Sequence, residues 1–102
     1  MPIRHAVLFR FTDDATEEQI EALAAGLATM PAATGAVEPE RYQHGRALGL
    51  NAGSWDYAVV GEFADAGAFE AYRDHPAHRS LIHDLVEPIT AERASVQFEL
   101  SG

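Results

Sequence analysis

The segment Tyr72-Arg73-Asp74-His75-Pro76-Ala77-His78 holds the densest run of groups able to exchange protons in this chain. Proline suits the first position of a helix, where its missing N–H costs nothing, so Pro76 is expected to open one. On that helix His78, Leu81, Ile82 and Leu85 follow the spacing of a single face. His78 then stands at the head of a buried stripe, and Phe69 and Tyr72 share the inward face of the helical turn before it. Two more groups arrive by strand parity, His5 on the apolar face of the first strand and Tyr57 on that of the third. Imidazole titrates near neutrality, and a neighbouring phenol can orient it or share its proton. The chemistry this set predicts is proton transfer to and from a small carbonyl compound, as in enolisation, aldol closure or lactonisation, with no cofactor. His78 would take and return the proton while Tyr72 holds the carbonyl or phenolate oxygen. His5 and Tyr57 would shape the pocket and fix the His78 ring, with Val7, Leu23, Leu27, Val59 and Leu81 as its apolar walls.

The same residues have a plainer reading. A histidine on an apolar face is commonly a core residue bonded to backbone or to a phenol, and a tyrosine at helical spacing is amphipathic packing with its hydroxyl paired. In that case Tyr72 and His78 bond to each other and brace a helix corner. Metal binding is not expected: His75 and His78 straddle a helix start, and His78 and His83 point about 140° apart by helix geometry. His44 falls on a polar edge strand and is expected to face solvent. Gly45 and Gly49 precede no helix and Gly53 leads into a strand, so no phosphate loop is read. None of Ser54, Ser80, Ser95 or Ser101 has the setting of a nucleophilic serine.

The elements that must position these groups follow from periodicity. Residues 3–11 alternate, with Ile3, His5, Val7, Phe9 and Phe11 on one face and Arg4, Ala6, Leu8 and Arg10 on the other. Thr16-Glu17-Glu18-Gln19 reads as a capping box, two glutamates suit the helix dipole, and Ile20, Leu23, Ala24 and Leu27 form the inward stripe. Pro31 is expected to stop this helix. Residues 36–46 give a weak, polar edge strand, and 49–54 a turn-rich link. Trp55, Tyr57, Val59 and Phe63 make one face of a third strand, and Asp65 can cap a short helix carrying Phe69 and Tyr72. A last strand runs from about Arg93 to Leu100, with Ala94, Val96, Phe98 and Leu100 on one face. The order βαββα(α)β is the split-βαβ, ferredoxin-like α+β plan, in one domain spanning 1–102.

Helices can cover only one side of a four-stranded sheet in this plan. The other side still presents Ala6, Leu8, Ala58 and Val60 among Arg4, Arg10 and Glu62, and an apolar patch of that size rarely stays in water. Face-to-face packing with a second copy, closing two sheets into a dimeric α+β barrel, is the expected solution. A chain of 102 residues has little spare interior, so a pocket for an organic substrate is easier to build with help from that partner. A formal net charge of -9 without any basic patch excludes a phosphate-backbone binder, hence no nucleic-acid partner. All seven basic residues are arginine and alanine is abundant, which points to a GC-rich bacterial source. The absence of cysteine removes disulfides, thiolate metal sites and thiol catalysis. With neither a leader pattern nor a long apolar run, a cytoplasmic protein without a membrane partner is expected.

Four segments together resemble the stress-responsive A/B-barrel domain family: His5-Ala6-Val7-Leu8-Phe9-Arg10-Phe11, the capped helix from Thr16, the strand from Asp56 to Phe63 leading to Asp65, and His75-Pro76-Ala77-His78 after Tyr72. The resemblance spans essentially the whole chain and implies a ferredoxin-like protomer that pairs into an α+β barrel. It implies two kinds of function, since the family includes a stress-associated oligomer without established catalysis and a plant polyketide cyclase, olivetolic acid cyclase. In the cyclase a tyrosine and a histidine of this element close the ring, and Tyr72 and His78 match them, as His5 matches the first-strand histidine. The pattern departs where the cyclase has bulky aromatics on its first helix, here Leu23, Ala24 and Leu27, and where it has a histidine on the third strand, here Tyr57. The cyclase substrate is therefore not carried over. A non-catalytic stress-responsive homodimer, and a cofactor-free monooxygenase or decarboxylase on the same plan, stand as alternatives.

Overall fold

Strand β1 (Ile3–Phe11) is the spine of the sheet in the computed structural model, which describes residues 1–101. It pairs antiparallel with β3 (Tyr57–Phe63) on one side and with β4 (Thr90–Glu99) on the other, and β2 (Tyr42–Arg46) closes the outer edge of β3. The order β2-β3-β1-β4 is that of the ferredoxin-like plan. The alternation in β1 is what sets its two faces: His5, Val7 and Phe9 are buried toward the helices, and Leu8 is exposed on the far side.

Helix α1 (Glu17–Thr34) begins as its sequence demands. The Thr16 hydroxyl accepts from the Gln19 N–H, and the Gln19 side chain accepts from the Thr16 N–H. Ile20, Leu23, Leu27 and Met30 bury its inner stripe, Leu23 completely. The stop is not at Pro31. A proline inside a helix removes one N–H bond and crowds the carbonyl four residues back, but here the ring is itself buried in the core and the helix runs on. Gly35 ends it instead, in the left-handed conformation (φ 64°) that glycine adopts without strain, donating its N–H to the Pro31 carbonyl.

Three strands start elsewhere than periodicity suggests, β4 among them, at Thr90 rather than about Arg93. A 3-10 turn over Pro39–Arg41 uses up the first residues of the edge segment, so β2 is only five residues long. Trp55 lies outside β3, its ring under the Arg10 guanidinium at 4.3 Å. Helix α2 (Ala66–Asp74) is capped by Asp65, whose carboxylate accepts from the Ala68 N–H. Helix α3 (Pro76–Leu81) follows directly, with His75 as its cap, Nδ1 accepting from the Ala77 N–H at 3.0 Å. The chain then widens into a π turn over Ile82–Val86 before β4. Gly26 lets α1 lie close to this stretch: a Cβ there would come within 2.6 Å of Leu85 Cδ1 and 2.8 Å of Leu81 Cδ1.

The helices cover β1 and β3 but not β4, in which every residue from Ala91 to Glu99 is exposed. Its register with β1 sorts it into two faces. Arg93, Ser95 and Gln97 oppose Phe9, Val7 and His5 on the helix side; Ala94, Val96 and Phe98 oppose Leu8, Ala6 and Arg4 on the bare side. That bare side leaves Leu8, Val96 and Phe98 between 39% and 55% exposed, an apolar face with no cover from its own chain. No helix among the described residues is long and apolar enough to cross a membrane.

Candidate functional site

Between the β1–β4 half of the sheet and the helices lies a cavity of about 580 Å³, open at one side. One protomer lines it without a partner's help, because the helices lean over β3 and β1 and leave the space above β4 unfilled. His5 and Val7 form its floor with Val59, Leu27 and Leu81 its apolar walls, and Tyr72 and His78 come from α2 and α3. Seven of the nine residues singled out by sequence thus meet here. Leu23 and Tyr57 do not line it: both are buried, Leu23 in the core beneath α1 and Tyr57 on the far half of the sheet.

His78 and Tyr72 are in ring contact, with centroids 4.4 Å apart and planes at 45°, but they are not bonded to each other as the structural alternative expected. The Tyr72 hydroxyl lies 2.7 Å from that of Tyr42, on β2, in a buried phenol pair. Burial raises the pKa of both phenols, Tyr72 to about 12, so both keep their protons. The His78 ring is held by the chain that carries it: its Nδ1 lies 3.0 Å from the Arg73 carbonyl oxygen. A carbonyl can only accept, so Nδ1 carries the hydrogen and Nε2 is a free base. Burial pulls the His78 pKa below its ordinary value, the Arg73 carbonyl opposes that pull, and the charge of Arg93 adds to it. The neutral, basic form is therefore the one present at neutral pH.

His5 has the opposite tautomer. Gln97 Nε2 donates to its Nδ1 at 2.8 Å, which leaves Nε2 as the N–H donor. Burial, with a smaller contribution from the charge of His78, lowers its pKa to about 4. Phe69 packs against this ring, centroids 4.7 Å apart. One imidazole thus offers a lone pair and the other a hydrogen, both lining the same cavity.

Tyr57 is engaged elsewhere. Its hydroxyl lies 2.7 Å from His44 Nδ1 and the two rings stack, so His44 is half-buried rather than solvent-facing and Tyr57 plays no part in fixing His78. His75 caps α3, and His83 on the rim pairs with Asp84. Sequence reasoning missed Tyr42, Gln97, Ser95 and Arg93. The last three were legible in principle, since a strand whose one face is Ala-Val-Phe must put Arg93, Ser95 and Gln97 on the other.

A four-stranded antiparallel sheet in this order, with helices on one face and the cavity between the layers, is a ferredoxin-like α+β fold. The chain belongs to the stress responsive A/B barrel domain family, whose model matches residues 3–100. A dimeric ferredoxin-like protein of unknown function from Thermobifida fusca is 41% identical, at a TM-score of 0.88 with 98% of this chain and 92% of that one covered. A Dabb family protein from Mesorhizobium loti is 21% identical at a TM-score of 0.80, over 99% of this chain and 98% of that one. A hydroxynitrile lyase from Passiflora edulis is 15% identical at a TM-score of 0.84, over 98% and 94%. The latter two share the fold, and their identity carries no further argument. A search of curated proteins found no significant match.

Proposed function

We propose that this protein is a cofactor-free acid–base catalyst acting on a small carbonyl compound, working as a cytoplasmic homodimer. The observation that carries it is the complementary pair of tautomers: His78 with Nε2 free to take a proton, and His5 with Nε2–H free to donate, in one cavity. Nε2 of His78 removes the proton from the carbon next to the carbonyl, and the electron pair moves onto the oxygen. The Nε2–H of His5 stabilises that oxygen by donating to it as the charge develops. Tyr72 walls the site with its ring, its hydroxyl being paired with that of Tyr42 away from the reacting atoms. Returning the proton to carbon gives net isomerisation or exchange; attack of the enolate on a second carbonyl of the same molecule gives ring closure, the cyclase-like outcome. That a hydroxynitrile lyase shares the fold is consistent with lyase chemistry on this scaffold.

The bare sheet face with Leu8, Val96 and Phe98 supports the homodimer, as does the dimeric relative from Thermobifida fusca. In such a dimer the two cavities lie on the outer sides of the paired sheets, so each works without the other.

The test is deuterium exchange at the carbon next to the carbonyl of propiophenone, a neutral aryl ketone, followed by NMR in heavy-water buffer. Wild-type protein is expected to accelerate exchange over buffer at equal pH, and His78→Ala to lose the acceleration while keeping its fold and dimer. Full acceleration in His78→Ala would remove the assigned base. No acceleration in wild type at any pH from 5 to about 9, a span that brackets imidazole titration, would favour the non-catalytic dimer.

A further inference from the structure

The chain has seven arginines and no lysine, against sixteen acidic residues. Five of those arginines close ion pairs: Arg4 and Arg41 with Glu62, Arg10 with Glu92, Arg46 with Glu17, and Arg73 with Asp74. Among the described residues Arg79 and Arg93 make none, although acidic side chains outnumber basic ones more than twofold. Both unpaired guanidinium groups line the cavity. Unpaired arginines scattered over an acidic surface would need no explanation; two that coincide at the single cavity bearing the imidazole pair point to an anion that completes the site.

Arg93 is the better placed of the two. It stands on the helix-side face of β4, in line with Ser95 and Gln97, opposite Phe9 in the register with β1. Successive residues on one strand face are about 6.8 Å apart, so a ligand lying along β4 meets a guanidinium, then a hydroxyl, then the Gln97–His5 pair. Among the described residues Ser95 makes no side-chain hydrogen bond, which leaves its hydroxyl for the ligand's middle. The rim carboxylates do not cancel this charge. Asp74 is already held by Arg73 through two bonds of 2.9 and 3.0 Å, which leaves Glu87 against two cations. The net charge of -9 is no obstacle at this range, because surface charges beyond about 8 Å are screened at physiological ionic strength.

We propose that Arg93, with Arg79 as a second cation on the rim, anchors the carboxylate of a keto acid whose ketone lies deeper in the cavity beside His78 and His5. This names the substrate class for the acid–base reading above and rests on it. A guanidinium presents two parallel donors that match a carboxylate, whereas a neutral ketone leaves them to water. The same charge also steadies the enolate as it forms, so a bound keto acid is both oriented and activated.

The experiment compares 3-benzoylpropionate with its N,N-dimethylamide, equal in shape around the ketone but differing in charge, by NMR titration and calorimetry. Wild type is expected to bind the acid about tenfold more tightly than the amide, the preference shrinking as salt rises. Arg93→Gln is expected to erase that preference and leave amide affinity unchanged, while Arg10→Gln, on the opposite sheet face, keeps it. The proposal fails if acid and amide bind equally, if the preference survives Arg93→Gln, or if neither binds. Tighter binding of phenyl phosphate than of the acid would also overturn it, assigning the anchor to a phosphate-bearing ligand instead. Propiophenone exchange without any acid preference sinks the anchor alone, and acid preference without exchange sinks the chemistry alone.

Discussion

The two halves of the sheet hold the same residue types and use them differently. On the β2–β3 half, His44 bonds Tyr57 and Tyr42 bonds Tyr72, so all three phenol hydroxyls find their partners in other side chains. On the β1–β4 half, Gln97 orients His5 and the Arg73 carbonyl orients His78, and each ring keeps one nitrogen unspent beside the cavity both line. A histidine becomes useful when the bond that fixes its ring leaves its other nitrogen beside a cavity. His44, which does not line that cavity, is structure. Tyr72 stands on the boundary, its hydroxyl tied to the packed half and its ring face turned to the open one.

The sharpest way to break this comparison is a pair of substitutions. His78→Ala is expected to lower ketone exchange at least 100-fold, within the usual range for a positioned general base, whereas His44→Ala changes it by no more than about twofold. Comparable losses in both would erase the distinction between the halves. Acid provides the next largest effect. His5 has its folded pKa depressed from 6.5 to about 4, so the unfolded chain binds the proton more readily. The stability due to a neutral His5 is whole above 6.5 and is lost as pH falls toward 4, up to about 3 kcal/mol. His5→Gln should flatten that part of the profile in denaturant melts taken across the window; an unchanged slope would contradict the assignment.

Smaller effects sharpen the picture of the packed half. Tyr42→Phe leaves the buried Tyr72 hydroxyl without its partner and is expected to cost about 1–2 kcal/mol, read as a shift in denaturant midpoint. Its effect on ketone exchange should be slight. Tyr57→Phe, whose partner His44 is half-buried and can turn to water, should cost under about 1 kcal/mol. A larger cost for Tyr57 than for Tyr42 would reverse the ranking of the two pairs.

Much of this was legible in the residues. Alternation placed His5 and Val7 inward, Thr16 and Gln19 marked the start of α1, and Pro76 after Tyr72 set two short helices so that both rings reach one space. What was not legible depends on long-range pairing. Tyr42 meets Tyr72 across 30 positions of sequence, and His5 meets Gln97 across 92, so neither bond leaves a local signature. Tyr57 has the parity of a cavity residue, but parity gives the face of a strand and not the position along the sheet, and the cavity lies over the other half. Pro31 misled for a different reason: the breaking power of proline is a local cost, and burial in the core overrode it.

The roof of the cavity owes its height to an atom that is missing. Where α1 passes Leu81 and Leu85, Gly26 presents only hydrogen, and even a methyl group would collide with both leucines. A larger residue at that position would press on both leucine ends, which must turn aside, or α3 and the π turn must shift, to make room. The dimensions of the site can thus be retuned from α1 through Leu81, which is both a neighbour of Gly26 and a wall of the cavity.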